Sequence, residues 1–249
     1  MSETYTVEYT VRPYESDYRG RARTDVLLHY LQDAAFGHSL RLGFGVGDLL
    51  PRGLTWVLSR YHVRIQRHPA AGETVRISTW YPGSHGPFHL RDWMISGEGA
   101  ATLVLATSSW LMIDLKTRKP TDDHSLLARL PSVDRRAIED PFAPLPEPGG
   151  ADHEVPFHVR RSDTDLNRHV NHINLIRWAM EALPGKVTAG LVPASIEAGY
   201  RAEAGFGDVV VSRAAVAGNG VFHHQLLRQS DGKELARIRT GWARGEPGG

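Results

Sequence analysis

Between Asp163 and Asn171 the chain reads Asp-Thr-Asp-Leu-Asn-Arg-His-Val-Asn. In an extended segment side chains alternate, so an extended 165–169 projects Asp165, Asn167 and His169 to one side. A carboxylate, a carboxamide and an imidazole then converge just ahead of an apolar-periodic stretch that reads as a helix. A helix N-terminus leaves backbone N–H groups unpaired and carries the positive end of the helix dipole. Together these are parts for acyl transfer, with a base near donors suited to an oxyanion. The same residue types also make turns and helix caps, and His169 also fits a buried, hydrogen-bonded histidine. His169 with His172, or His223 with His224, could hold zinc, but neither pair has a third ligand in sight. The chain has no cysteine, so a thiolate nucleophile, a disulfide and a thiolate metal site are all excluded. No Gly-x-Ser-x-Gly, Walker A or dinucleotide fingerprint is present.

The elements that would position these residues come in two copies. Residues 11–24, VRPYESDYRGRART, share their layout with 159–172, VRRSDTDLNRHVNH. Each begins Val-Arg, has an acidic residue at the fifth and seventh places, and leads into an apolar-periodic helix. Gly72-Glu73-Thr74-Val75 recurs as Gly207-Asp208-Val209-Val210, and Trp110 at the end of an apolar strand recurs as Trp242. The shift between copies shrinks in order along the chain, as it does when the second copy has shorter loops. Thr24 is placed to cap a helix running to about Leu42, with Val26, Leu27, Tyr30, Leu31, Ala34 and Ala35 as its apolar stripe and Gly43 and Gly45 as its stop. Strands are expected at 55–66, 73–81, 89–96 and 101–114. In the second copy a helix is expected at 171–183, stopped by Pro184-Gly185, with strands at 194–202, 208–217, 221–229 and 234–243. One long helix followed by consecutive antiparallel strands predicts an α+β unit in which a sheet wraps a central helix, the hotdog arrangement. Two such units, 1–139 and 153–249, joined by a Pro/Gly-rich linker at 140–152, are expected to form a pseudo-dimer.

The run Asp165-Leu-Asn-Arg-His169-Val-Asn, followed by a helix containing Trp178, resembles the active-site motif of the acyl-ACP thioesterases of plants and bacteria. Tyr200-Arg-Ala-Glu203-Ala resembles the segment in which that family carries its catalytic glutamate. In the first half, Thr55-Trp-Val-Leu-Ser-Arg60, Arg91-Asp-Trp93, Ser109-Trp-Leu-Met112 and Lys116-Thr-Arg118 are also similar to family segments. The resemblance covers about Tyr5 to Trp242. It implies a tandem hotdog hydrolase of fatty acyl-ACP, with Asp165, Asn167, His169 and Glu203 as the catalytic set. Where the family often has a cysteine after the glutamate, this chain has Ala204, so hydrolysis must run through activated water or a carboxylate. A thioester's leaving thiol has a pKa of roughly 8.5 and needs little protonation. The roles that follow are Glu203, alone or with Asp165, as the base; His169 and the N–H groups of Val170 and Asn171 at the carbonyl oxygen; and Asn167 positioning water or substrate. An acyl-CoA thioesterase of the same fold is the alternative.

The first copy sets Arg19 and Arg21 where the second has Asn167 and His169, so it is expected to hold the acyl chain without performing chemistry. Leu31, Ala34 and Ala35 on its helix, with Trp56 and Leu58 opposite, are the candidate chain-binding residues. A net charge of +1 argues against nucleic-acid or membrane partners at large. Local arginine clusters at 19/21/23, 64/67, 135/136 and 160/161 read as solvated surface or as docking sites for an acidic acyl carrier protein. No cofactor is expected, and the molecule is expected to be a monomer or homodimer. The first residues, MSETYTVEYT, lack a basic stretch followed by an apolar one, which predicts a cytoplasmic protein.

Overall fold

The computed structural model describes residues 3–121 and 129–245. The chain divides into two compact units, Met1–Pro141 and Phe142–Gly249. In the first unit, β1 (Thr4–Thr10) leads through a turn to α1 (Thr24–Leu42) and a short α2 (Val46–Leu49). Then come β2 (Leu54–Ile65), β3 (Thr74–Trp80), β4 (Ser84–His85), β5 (Phe88–Ser96), β6 (Thr102–Asp114) and β7 (Lys119–Pro120). The main strands pair antiparallel in the order β1-β3-β5-β6-β2, with β4 on β5 and β7 on β6.

The apolar stripe makes α1 a helix, and Leu27, Leu28, Leu31 and Ala34 are fully buried. Trp93 on β5 donates its indole N–H to the Leu31 carbonyl at 2.9 Å, tying helix to sheet. Gly43, at φ 75, ends the helix in the left-handed conformation that glycine adopts without a Cβ penalty. The N-terminus departs from expectation: Arg23, not Thr24, is the cap, and it makes no side-chain capping bond. Its guanidinium instead holds the Tyr14 carbonyl and Asp25.

A strap over residues 132–140 lies on the face of β3 and β5 that carries Trp80 and Asp92. Val133 N–H bonds the Tyr81 carbonyl, Trp80 donates to the Arg135 carbonyl at 2.7 Å, and the Arg135 guanidinium lies 3.9 Å from the Trp80 ring centre. Asp92, with no exposed surface, accepts from Thr107, from Arg136 Nε at 3.0 Å and from the Ala137 N–H at 2.6 Å. Burial pushes the Asp92 carboxyl up, and those donors pull it back. Arg136 is therefore part of the packing, while Arg135 lies exposed over the Trp80 ring.

The second unit repeats the plan. It contains β8 (His153–His158), α3 (His172–Glu181), the short α4 (Gly185–Thr188), β9 (Leu191–Tyr200), β10 (Val209–Gly218), β11 (Val221–Arg228) and β12 (Glu234–Arg244). Its strands run β9-β12-β11-β10-β8, the same order read from the opposite end. Equivalent bonds recur. Val11 exchanges backbone bonds with Gly72 and Glu73 as Val159 does with Gly207 and Asp208. Trp110 donates to the Ser108 hydroxyl two residues back, and Trp242 donates to Thr240 in the same way. Each unit sets a helix against five main antiparallel strands, so the α+β, two-hotdog architecture follows from the repeat.

Each unit also buries a neutral histidine. His38 on α1 accepts from Arg91 at Nδ1, and burial with the charges of Arg91 and Arg41 lowers it to about 4. His224 on β11 has no exposed surface, bonds Thr240 through Nε2, and is lowered by burial to about 3. Both lie below the ordinary 6.5 of an unfolded histidine. The unfolded chain therefore takes up protons first as pH falls, so stability is full above about 6.5 and is lost toward 4 and 3. At about 1.4 kcal/mol per unit of separation, the loss reaches a few kcal/mol. The melting temperature is expected to fall steeply between pH 6.5 and 4, and His224→Leu to flatten that slope even if it melts lower at pH 7. An unchanged slope in that variant rules out His224 as a contributor.

Candidate active site

Residues 165–169 do not form the extended run expected from the alternation of residue types. Asp165–Arg168 is a tight turn: the Arg168 N–H bonds the Asp165 carbonyl at 2.9 Å, and the Asp165 N–H bonds the His169 carbonyl at 2.9 Å. Asp165 Oδ1 accepts the Asn167 N–H at 2.8 Å, a local bond that short polar side chains offer in competition with strand structure. Arg168 closes the turn at φ 63. Asp165 thus serves the turn, and Asn167 stands exposed on it. Among the described residues neither side chain bonds His169 or Glu203.

The turn does bring His169 to Glu203. His169 pairs with Gly205 in an antiparallel bridge, and the Val170 N–H bonds the Ala204 carbonyl at 2.8 Å. His169 Nε2 lies 3.4 Å from a Glu203 carboxylate oxygen, with both side chains about half exposed. Arg228 holds the Glu203 segment through that residue's carbonyl at 3.0 Å, and is itself fixed by both oxygens of Asp231.

Val170 and Asn171 do not present donors to an oxyanion. The Val170 N–H is spent on the Ala204 carbonyl of the bridged segment and the Asn171 N–H on the Asp163 carbonyl at 2.9 Å. The Asn171 side chain is the cap of α3, accepting the Ile173 N–H at 3.0 Å. The side-chain N–H of His169 is the donor at hand for a carbonyl oxygen. The possible metal pair His223/His224 is split by the strand, one side chain buried and the other on the opposite face.

Asp163 was not among the candidates, yet it anchors the loop. Its carboxylate accepts the Arg160 N–H at 2.8 Å and pairs with Arg177 at 3.2 Å, and its carbonyl takes bonds from the Asn171 N–H and from Asn174 Nδ2. The acidic residue at the fifth place of both repeats is its signal: Glu15 accepts the Arg12 N–H in the same way. In the first unit, Arg21 bridges Ala70 as His169 bridges Gly205, and the Ala22 N–H bonds the Pro69 carbonyl as Val170 bonds Ala204. Arg21 and His68 therefore stand where the second unit has His169 and Glu203. His68 is buried against the Ala22 carbonyl at 2.9 Å.

Of the chain-binding candidates, Leu31 and Ala34 are fully buried and Ala35 is half-buried on α1. Trp56 and Leu58 are half-buried on β2. Trp56 packs on the cluster of Phe44, Leu49, Leu54 and Met112, with its ring edge-on to His89 at 5.3 Å.

The N-terminal domain model of the acyl-ACP thioesterases matches residues 2–124, and the C-terminal domain model matches residues 147–244. The acyl-(acyl-carrier-protein) hydrolase FATB2 of Cuphea viscosissima is 31% identical over 94% of this chain and 61% of its own length. The palmitoyl-acyl carrier protein thioesterase of Gossypium hirsutum is 30% identical over 96% of this chain and 63% of its own. The chain therefore spans less than two thirds of those curated relatives. The crystal structure of an acyl-ACP thioesterase from Bacteroides thetaiotaomicron superposes with a TM-score of 0.87 at 26% identity, covering 98% of this chain and all of that one. The 12:0-ACP thioesterase of Umbellularia californica shares the fold with a TM-score of 0.89 at 23% identity.

Proposed function

Because this chain belongs to the acyl-ACP thioesterase family, we propose that it hydrolyses the thioester of a fatty acyl carrier protein, with Glu203 and His169 as the working pair. The observation that carries the mechanism is the 3.4 Å approach of the half-exposed His169 ring to the half-exposed Glu203 carboxylate across the bridge between their segments. Glu203 takes a proton from water as the water oxygen attacks the carbonyl carbon. His169 donates a ring N–H to the oxygen that becomes negative. The C–S bond then breaks, the proton on Glu203 passes to the departing thiolate, and a free fatty acid and holo carrier protein are released. Asp165, whose carboxylate holds the turn, keeps His169 in place and is not the base. Asn167, exposed on the same turn, is left to position water or substrate. No cofactor enters this scheme.

In this reading the first unit, with Arg21 and His68 at the corresponding places, holds the acyl chain against α1, near Leu31, Ala34 and Ala35, with Trp56 and Leu58 on the sheet. A guanidinium stays protonated at neutral pH and cannot act as a base there. The test is a rate panel of acyl carrier protein and CoA thioesters of matched chain length. The carrier thioesters are expected to have the higher kcat/KM, and Ala34→Phe or Ala35→Phe to move the optimum to shorter chains. A preference for CoA favours an acyl-CoA thioesterase of the same fold; no turnover of either removes the hydrolase reading. A chain-length profile unmoved by both bulky variants places the acyl chain elsewhere.

A further inference from the structure

Arg168, the neighbour of His169, sits at φ 63, in the left-handed region where a side chain crowds its own backbone. The first unit has glycine at the equivalent point of the repeated turn, Gly20 at φ 71. An arginine is thus kept where the backbone favours glycine, beside the proposed catalytic pair, and outliers of this kind gather at sites where the residue is used. The Arg168 side chain is exposed, and among the described residues no carboxylate pairs with it.

Its surroundings are of one kind. The bridge between His169 and Gly205 sets Arg168 opposite Phe206. Phe206 is 57% exposed, and Arg161, likewise without a carboxylate, lies with its guanidinium 4.3 Å from that ring centre. Leu166, at the tip of the same turn, is 85% exposed. Of the nearby carboxylates, Asp165 holds the Asn167 N–H, Asp208 holds the Gly205 N–H, and Glu203 faces His169. In the other arginine clusters one member is paired with a carboxylate, Arg23 with Asp25, Arg67 with Glu73 and Arg136 with Asp92, while Arg19 contacts Tyr18 and Arg64 contacts His62. An apolar pair flanked by uncompensated guanidinium groups complements an acidic surface with a small apolar contact.

We propose that Leu166, Phe206, Arg161 and Arg168 form the docking surface for the acidic carrier protein that presents the thioester. The proposal rests on the hydrolase reading above and adds where the partner seats. Its position on the turn that carries His169 and the bridged segment that carries Glu203 delivers the thioester arm directly to them.

The experiment compares wild type, Arg168→Gly and Arg161→Gln/Arg168→Gly on one acyl group carried either by the carrier protein or by N-acetylcysteamine, at low and high salt. Arg168→Gly is expected to melt no lower than wild type. For both variants the ratio of kcat/KM on the carrier to that on the small thioester should fall about tenfold or more at low salt, and return toward wild type at high salt. Phe206→Ser should lower the same ratio at either salt. An unchanged ratio overturns the proposal, as does an equal loss on both substrates, which would put Arg168 in the chemistry instead. Titration of holo carrier protein into wild type and the double variant reads the surface even if neither thioester turns over. Equal binding there overturns the docking surface, whereas weakened binding without turnover supports it and tells against the hydrolase reading alone.

Discussion

Glu203→Gln and His169→Ala are each expected to lower kcat by about 10²-fold or more, the scale of losing a general base or an oxyanion donor. The amide keeps the shape of Glu203 and removes its ability to take a proton. The alanine removes the side-chain donor at a place where the Val170 and Asn171 N–H groups are already bonded to the Ala204 and Asp163 carbonyls. With those backbone donors spent, little remains to compensate for the imidazole. Both side chains are about half exposed, so neither change opens a cavity, and both variants should melt near wild type. Groups that act as a unit are not additive, so the double variant is expected to lose little more than the worse single one. Near-normal turnover in both folded single variants would place the chemistry elsewhere. Losses that multiply in the double variant would instead mean that the two residues work independently.

The largest expected effect on stability is at Asp92. Asp92→Ala strips a fully buried carboxylate from the mostly buried Arg136, from Thr107 and from the Ala137 N–H, leaving their donors without that partner. Breaking a buried pair from one side costs about 3–5 kcal/mol, which corresponds to roughly 10 °C in melting temperature for a chain of this size. Asp92→Ala/Arg136→Leu should recover part of that loss, since the orphaned cation goes with its partner. Scanning calorimetry of the two variants checks both statements. A single variant that melts within about 2 °C of wild type would show that water reaches Arg136 and Ala137 freely.

Much of the scaffold was readable from residue order because it rests on local signals. The stripe from Val26 to Ala35 and the stop at Gly43 define α1, whose observed span is Thr24–Leu42. The duplicated Val-Arg and Gly-acidic segments mark bonds that recur in both units. What misled was the alternation in Asp165, Asn167 and His169: period two also fits a turn whose Asp bonds the N–H two residues on. Gly20 at the corresponding place in the first copy was the available turn signal. The pairing of His169 with Glu203 depends on a bridge between segments more than thirty residues apart, which no local pattern encodes. The resemblance supplied Glu203, not its contact. The roles of Asp163 and Asp92 escaped notice because each reads as one acidic residue among many until its donors are seen.

The strap over residues 132–140 bears on where the gene could be divided. A cut between Pro141 and Phe142, the boundary between the units, keeps the bonds of Val133, Arg135, Arg136 and Ala137 on the side of the sheet they cover. It also keeps the contact of Asp140 with His62 at 2.5 Å. A cut just before Ser132 would instead hand Arg136 and Ala137 to the other fragment and leave Asp92 a bare carboxylate on the first. Split reporters, separately expressed halves and chimaeras that exchange one unit should therefore take their junction after the strap. A series of junctions moved stepwise from 131 to 141 should show soluble yield of the first half rising as Arg136 and Ala137 are regained.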